Sequence, residues 1–216
     1  MLHKTMNNSF NHTIAVDGPA ASGKGTIARR LAQELGYYHL DTGLLYRAVG
    51  WLAKDQIDDE LACGRIAAGL DPSQLRDPGF VSNLPSESTG ELASKVSVYP
   101  QVRTALIAFQ RKVAILSPGA VLDGRDIGTV VCPDAAKKLF ITASLEIRAE
   151  RRWKQLIPSQ TSLTYEQVLQ SLQNRDLRDS TRSTAPLKKA ADALLIDSSD
   201  LTIDEVYARA IGYIRT

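Results

Sequence analysis

Long apolar runs are missing from this chain. No stretch of its 216 residues approaches the ~18 apolar residues that a membrane-crossing helix needs. The opening residues, MLHKTMNNSFNH, lack the apolar centre of a secretory signal. Residues 1–12 are therefore expected to form a flexible extension, with Met6 as an alternative start. Cysteine is nearly absent. Cys63 and Cys132 stand far apart, without the close spacing of a zinc site or a disulfide framework; two reduced thiols in a cytoplasmic protein are expected. An excess of charge of one sign is missing too, since Lys+Arg 26 and Asp+Glu 24 leave +2. That balance argues against a molecule-wide basic field, so no nucleic acid is expected as a partner, and any polyanion must be held by local clusters. Repeats and low-complexity tracts are absent. So is the NKxD tetrapeptide that reads guanine, which argues against a GTP switch.

What is present is alternation. Short apolar runs alternate with amphipathic stretches, the pattern of a parallel α/β sheet covered by helices. Strands are expected over 13–16, 38–40, 120–122, 138–142 and 194–197, giving a five-stranded parallel sheet. Several runs end in a carboxylate followed by a small residue: Asp17-Gly18, Asp41-Thr42-Gly43, Asp123-Gly124 and Asp197-Ser198. Ligands of open α/β sheets bind beyond the carboxyl ends of the strands, so these positions point to one shared site. Residues 58–105 break the rhythm with Pro-, Gly- and Ser-rich stretches and read as an insertion. The core is expected over 13–57 and 106–216. IPSQTS, between Leu156 and Leu163, reads as a mobile loop.

The stretch DGPAASGKGT follows the first expected strand and precedes a helical pattern with Ile27, Ala28, Leu31, Ala32 and Leu35 on one face, stopped by Gly36. Glycines let a backbone curl so that several N–H groups converge, and the following helix adds its positive end. With Gly18, Gly23 and Lys24 the spacing is G-x4-G-K. This predicts a nucleotide-phosphate loop made by Gly18, Pro19, Ala20, Ala21, Ser22, Gly23, Lys24, Gly25 and Thr26. Gly25 stands where a Mg²⁺-binding hydroxyl is usual, and Thr26 comes one residue later. That GKGT variant looks like a nucleoside monophosphate kinase.

Such a kinase must crowd positive charge around a transferring phosphoryl group, and arginine forks suit phosphate. Arg47, Arg103 and Arg125 are candidates, as are Arg175, Arg178 and Arg182 in NRDLRDSTR. If the helix opened by the capping-box pattern Thr164-Tyr165-Glu166-Gln167 reaches that far, the last three fall within ~60° of one another. Arg178 has a plainer alternative, a pair with Asp179 or Glu166. Arg148, Arg151 and Arg152 are expected to share one helical face, with Leu145, Ala149 and Trp153 on another. Arg125, alone between two glycines at a strand end, is poorly explained by packing.

With these residues assembled, the chain resembles the bacterial cytidylate kinase family. The matching stretches are DGPAASGKGT, LDTGLLYRAVG, GELASKVSVYPQVR, VLDGRDIGTVVCPDA, ERR and NRDLRDSTRSTAPLKKAADALLIDSS. They run in family order across most of residues 13–200. The resemblance implies a phosphate-loop core, an insertion at 58–105 that binds the nucleoside monophosphate, and a short lid at about 148–163. It implies transfer of the γ-phosphoryl group of ATP to CMP or dCMP, with Mg²⁺, by a monomer. By motif, Lys24, Arg125, Arg151 and Arg182 would carry the catalytic charge. Thr42, Arg47, Arg125 and Arg182 would hold the acceptor phosphate and its surroundings. Ser94, Arg103 and Asp126 would read cytosine, and Arg175 and Asp179 would approach the sugar. Arg151 and Arg152 would sit in the lid over ATP. Thr26, Asp17 and Asp123 are candidates to hold Mg²⁺ through water, with a loop-bracing role as the alternative for Asp17 and a helix N-cap as the alternative for Asp126. The chain departs from the family at 69–89, where a short Pro-rich segment replaces a longer β-hairpin. Two other readings stay open: a broad UMP/CMP kinase, and a nucleotide-binding protein without turnover.

Overall fold

The computed structural model describes residues 10–158 and 162–216. Five strands form one sheet: β1 (Thr13–Asp17), β2 (Tyr38–Asp41), β3 (Ala120–Gly124), β4 (Lys137–Thr142) and β5 (Leu194–Asp197). The spatial order is β2-β3-β1-β4-β5, and every pairing is parallel. Each expected strand is present, extended by one or two residues at most. β1 and β3 are buried along their whole length. Covered on both faces, they read as unbroken apolar runs rather than as alternation.

Helix α1 (Lys24–Leu35) lays Ile27, Ala28, Leu31 and Ala32 on one side of the sheet, against Ile14, Val16, Val121 and Ile141. Gly36 ends it in the left-handed conformation, φ 66°, and donates to Ala32 and Gln33 carbonyls. The C-terminal helix packs on the same face through Val206 and Ala210. The other face is covered by Ile127, Val131 and Cys132 from a π-helical turn after β3. Cys132 and Cys63 are buried free thiols; burial pushes the Cys132 thiol up to about 12, so it stays protonated.

The segment expected as an insertion is helical. After α2 (Thr42–Leu52) come α3 (Glu60–Ala68), the short α4 (Pro78–Val81), α5 (Glu87–Val96) and α6 (Pro100–Ala114). Asp41, Asp59, Asp77 and Ser86 cap the starts of the first four, each accepting a backbone N–H. Leu45 and Val49 of α2 share a core with Cys63, Val96, Val102 and Leu106. Neither expected border therefore separates packing units. α2, from the core segment, is a wall of the helical lobe. The 105/106 border falls inside α6, which starts at Pro100 and meets no breaker before Ala114.

Two more helices, α7 (Leu145–Leu156) and α8 (Tyr165–Thr181), pack together around Ala149, Val168 and Leu172. Thr164 and Gln167 make the expected capping box. The helix reaches Thr181, with Arg182 as its C-cap. Of the expected mobile loop, 159–161 lie outside the described residues. The final helix is α9 (Ile203–Arg215). No helix among the described residues is long and apolar enough to cross a membrane.

The tightest backbone requirement sits at Gly18. Its φ is 152°, and a Cβ there would lie 1.9 Å from the Ile141 carbonyl oxygen of β4. Gly18→Ala should lower stability by at least ~2 kcal/mol through strain and overlap with an adjacent strand. Urea unfolding reads the change; an unaltered midpoint would mean the turn does not need glycine.

Candidate active site

The loop between β1 and α1 takes positive φ at Gly18, Ala21 and Gly23. No side chain caps the start of α1, so its N-terminal field is open to an anion. Lys24 is the first residue of that helix. Its Nζ donates to the Pro19 carbonyl at 3.1 Å. Burial and the charge of Arg125 push its ammonium down to about 7, against the pull of Asp123 and Asp41. A bound polyphosphate would reverse that shift. The loop is tied down from β5: Ser198 Oγ donates to the Ser22 carbonyl at 3.1 Å.

Asp41 and Asp123 are register partners at the ends of β2 and β3, so the pleat sets their carboxylates side by side. Burial, then the charge of Asp123, hold the Asp41 carboxyl above the ordinary range. Asp123 Oδ2 lies 2.8 Å from His39 Nε2. A Cβ at Gly25 would fall 3.5 Å from Asp123 Oδ1, so the space beside that carboxylate is kept by the missing side chain. Thr26 is exposed at the same helix end.

Asp17 is otherwise occupied. Its two oxygens accept from the amides of Ile127 and Gly128, each at 2.8 Å. Burial nevertheless pushes its carboxyl up to about 7, though both amide bonds pull the other way. It braces the turn after β3, the alternative role that the sequence left open beside a water-mediated metal contact. Asp126 stands at the N-cap position of that turn, but its side chain makes no capping bond. The cap comes from Asp17, which frees Asp126 to face elsewhere.

It faces Arg103. The two form a buried ion pair through Arg103 Nη2 and Asp126 Oδ2. Ser94, Tyr46 and Thr42 line the same cleft, of about 40 Å³, with Arg125, Arg175, Asp179 and Arg182 around it. Thr42 Oγ1 donates to the Asp123 carbonyl at 2.8 Å, pinning α2 to β3. Arg182 Nε donates to Ala185, and its Nη2 stands 3.7 Å from Asp126, too far to hydrogen-bond. Among the described residues the buried donors Arg103 Nε, Arg175 Nε and Arg182 Nη2 have no hydrogen-bond partner. Unmet buried donors of this kind cost free energy, and acceptors on a ligand would relieve it.

A larger cavity of about 550 Å³ joins the phosphate loop to Arg47, Arg125, Arg151, Arg152 and Arg175. Arg125 Nε donates to Asp179 at 2.9 Å. Burial would raise the Asp179 carboxyl, but Arg125, Arg175 and Arg182 overcome it and hold it low. Burial and the neighbouring Arg125 push Arg175 down to about 9. Arg47 donates to the Leu84 and Ser86 carbonyls, at 2.8 and 3.0 Å; burial and Arg152 push it down to about 10.

The three arginines of α7 diverge, contrary to the expected shared face. Arg148 is buried and bonds Ala143, Ala20 and Asp176. Arg151 grips Ser198 through its hydroxyl and carbonyl, at 2.9 and 2.7 Å. Arg152 reaches across to Glu87 and the Pro85 carbonyl. Long side chains from neighbouring positions reach different acceptors, which helical angles alone do not resolve. Arg178 pairs with neither Asp179 nor Glu166; it donates to Ser94 Oγ. Glu87 and His39 were not expected at the site, and Asp41 was expected there only as a strand-end carboxylate, with no role given to it. Only Asp41 left a signal, the carboxylate closing an expected strand.

A parallel sheet with a phosphate loop at its carboxyl edge, an arginine-lined cavity and a second cleft under a helical lobe define a phosphate-loop kinase fold of the nucleoside monophosphate type. A crystal structure of an uncharacterized protein from Eubacterium ventriosum has the same fold, with a TM-score of 0.52 at 17% identity, covering 94% of this chain and 98% of that one. The family model described as cytidylate kinase matches residues 14–216. A cytidylate kinase from Azorhizobium caulinodans is 53% identical over 203 residues, covering 93% of this chain and 97% of its own. One from Paramagnetospirillum magneticum is 51% identical, covering 93% and 96%. The chain belongs to the cytidylate kinase family.

Asp17→Ala would strand the Ile127 and Gly128 amides in the core. The expected loss is about 2–5 kcal/mol. The turn that carries Arg125 and Asp126 should loosen as well. Thermal denaturation and nucleotide titrations measure both, and a variant with unchanged melting would remove the bracing role.

Proposed function

We propose that the protein transfers the γ-phosphoryl group of ATP to CMP, and to dCMP, producing ADP and the cytidine diphosphate. An oxygen of the acceptor monophosphate forms the new bond to Pγ while the bond from Pγ to the β,γ-bridging oxygen breaks, and ADP leaves with that electron pair. The acceptor is already anionic, so no protein base is required. What the reaction needs is alignment of two polyanions and positive charge around the group in flight. The loop amides and Lys24 are suited to the ATP phosphates. Arg47, Arg125, Arg175 and Arg182 are suited to the monophosphate side, and Arg151 to the donor side.

The family implies Mg²⁺ with ATP. Among the described residues no group of three or more His, Cys, Asp or Glu could hold a metal alone. Asp41, Asp123 and Thr26 lie beside the phosphate loop and fit an ion that is bound chiefly by phosphate oxygens and water. When bound, Mg²⁺ would neutralise charge on the transferring phosphate.

The observation that carries the choice of base is the Arg103–Asp126 pair, set in a cleft with Ser94. Cytosine presents an amino donor beside two acceptors. Asp126 can accept from the amino group; Arg103 and Ser94 can donate to the acceptors. Uracil reverses two of those three atoms, setting a carbonyl against the carboxylate and an N–H against a donor. Buried mismatches of this kind discriminate by orders of magnitude.

The test is ADP release with ATP and Mg²⁺ and one acceptor at a time from CMP, dCMP, UMP, AMP and GMP. Selective turnover of CMP and dCMP is expected; equal turnover of UMP would overturn the base reading. In Asp126→Asn, whose amide can also donate to a carbonyl, the CMP-to-UMP ratio of kcat/KM should fall by about tenfold or more.

A further inference from the structure

Arg178 lies on the same side of α8 as Arg175, Asp179 and Arg182, yet it has no part in the proposed transfer. It is half-buried. Among the described residues no carboxylate pairs with it: Asp179 is committed to Arg125, and Asp176 to Arg148. Its Nη1 donates instead to Ser94 Oγ on α5. Withdrawing a guanidinium from water without a counter-ion is unfavourable, and one neutral hydroxyl is weak compensation. The arrangement is better explained by what it does to the hydroxyl.

Ser94 is buried and faces the small cleft that holds the Arg103–Asp126 pair. A serine hydroxyl has one proton and two acceptor sites, and it rotates to suit its partner. Left free, it meets a donor or an acceptor almost equally well and discriminates poorly. Ser97, one turn on, offers a contrast. Its hydroxyl donates to the Ser94 carbonyl at 2.7 Å and accepts from Arg182 at 3.4 Å. Both of its capacities are spent within the fold. The Ser94 hydroxyl accepts from Arg178, and its proton meets no acceptor among the described residues. A cationic donor at the oxygen polarises the O–H bond, making it a stronger donor and a weaker acceptor.

We infer that Arg178 is a positioning residue for pyrimidine recognition: it holds the Ser94 hydroxyl against α8 and biases it to donate toward an acceptor atom of the base. This rests on the reading of Ser94 as a base contact. Arg178 turns an adaptable hydroxyl into a directional one without touching the nucleotide. The same bond ties α5 of the helical lobe to α8 beside the cleft.

Kinetics of Arg178→Met, Arg178→Lys, Ser94→Ala and the Ser94→Ala/Arg178→Met pair, with melting temperatures, test it. Arg178→Met should raise the KM for CMP about fivefold, the scale of one hydrogen bond. The KM for ATP and the kcat at saturating CMP should stay within about twofold, a split that general loss of structure would not produce. Arg178→Lys keeps a cationic donor and should recover part of the loss. In the Ser94→Ala background, Arg178→Met should add little. If the Met variant folds poorly, Arg178→Gln replaces it with the same expectation. Additive effects, or a wild-type KM for CMP after loss of Arg178, would overturn the inference alone. A silent Ser94→Ala would overturn the base reading of Ser94 and the inference with it.

Discussion

The amides of Ile127 and Gly128 end on one buried carboxylate, Asp17, and through it the two halves of the site are joined. Asp17 closes β1 and begins the phosphate loop. Ile127 and Gly128 follow Arg125 and Asp126 on the turn after β3. One side chain thus sets the distance between the loop suited to the donor phosphates and the loop suited to the acceptor. Because Asp17 caps the π-helical turn, Asp126 is released from the capping role its position invites and meets Arg103 instead. The parallel pairing of β1 with β3 makes this possible, since it brings both strand ends to one edge of the sheet.

Around that joint the protein concentrates positive charge despite a net charge of only +2. It does so by lending most of these cations an internal acceptor. Arg125 leans on Asp179, Arg152 on Glu87, Arg151 on Ser198 and Arg47 on two carbonyls of the helical lobe. The burial that pushes Lys24, Arg47 and Arg175 toward lower pKa values also strengthens their pull on an incoming phosphate. Donors left unmet in the base cleft extend the same arrangement, with hydrogen bonds that a base and a phosphate would complete.

The helical lobe is part of this network. α2 begins at the sheet edge, pinned by Thr42 to Asp123, and ends in the lobe core with Leu45 and Val49. Arg47 holds the chain before α5. Glu87, at the start of α5, accepts from Arg152 of α7 and from Ser171 of α8. Ser94 and Ser97 accept from Arg178 and Arg182. Several of these links run from α5 to residues that line the cavity or the base cleft, so the position of α5 and the shape of the cleft are set together.

Much of this was legible in the sequence. Buried parallel strands appear as short apolar runs, and all five were readable. The glycines of DGPAASGKGT announce a backbone that must curl, and Gly18 and Gly23 adopt the positive φ this requires. Motif resemblance named Ser94, Arg103 and Asp126, which the fold gathers into one cleft. Local signals of this sort depend on near neighbours, so a one-dimensional reading reaches them. It could not see that Asp17 braces the turn after β3, because the two amides it holds lie 110 and 111 positions away. It could not see that Asp41 and Asp123 stand side by side, that Glu87 bridges to α7 and α8, or that Arg178 passes over its own acidic neighbour for a serine on another helix. The sequence by itself determined the strands, the phosphate loop and the family. Tertiary structure alone decided which charges pair and which are left for a ligand, because partner choice depends on distances between elements that only the packed sheet and helices set.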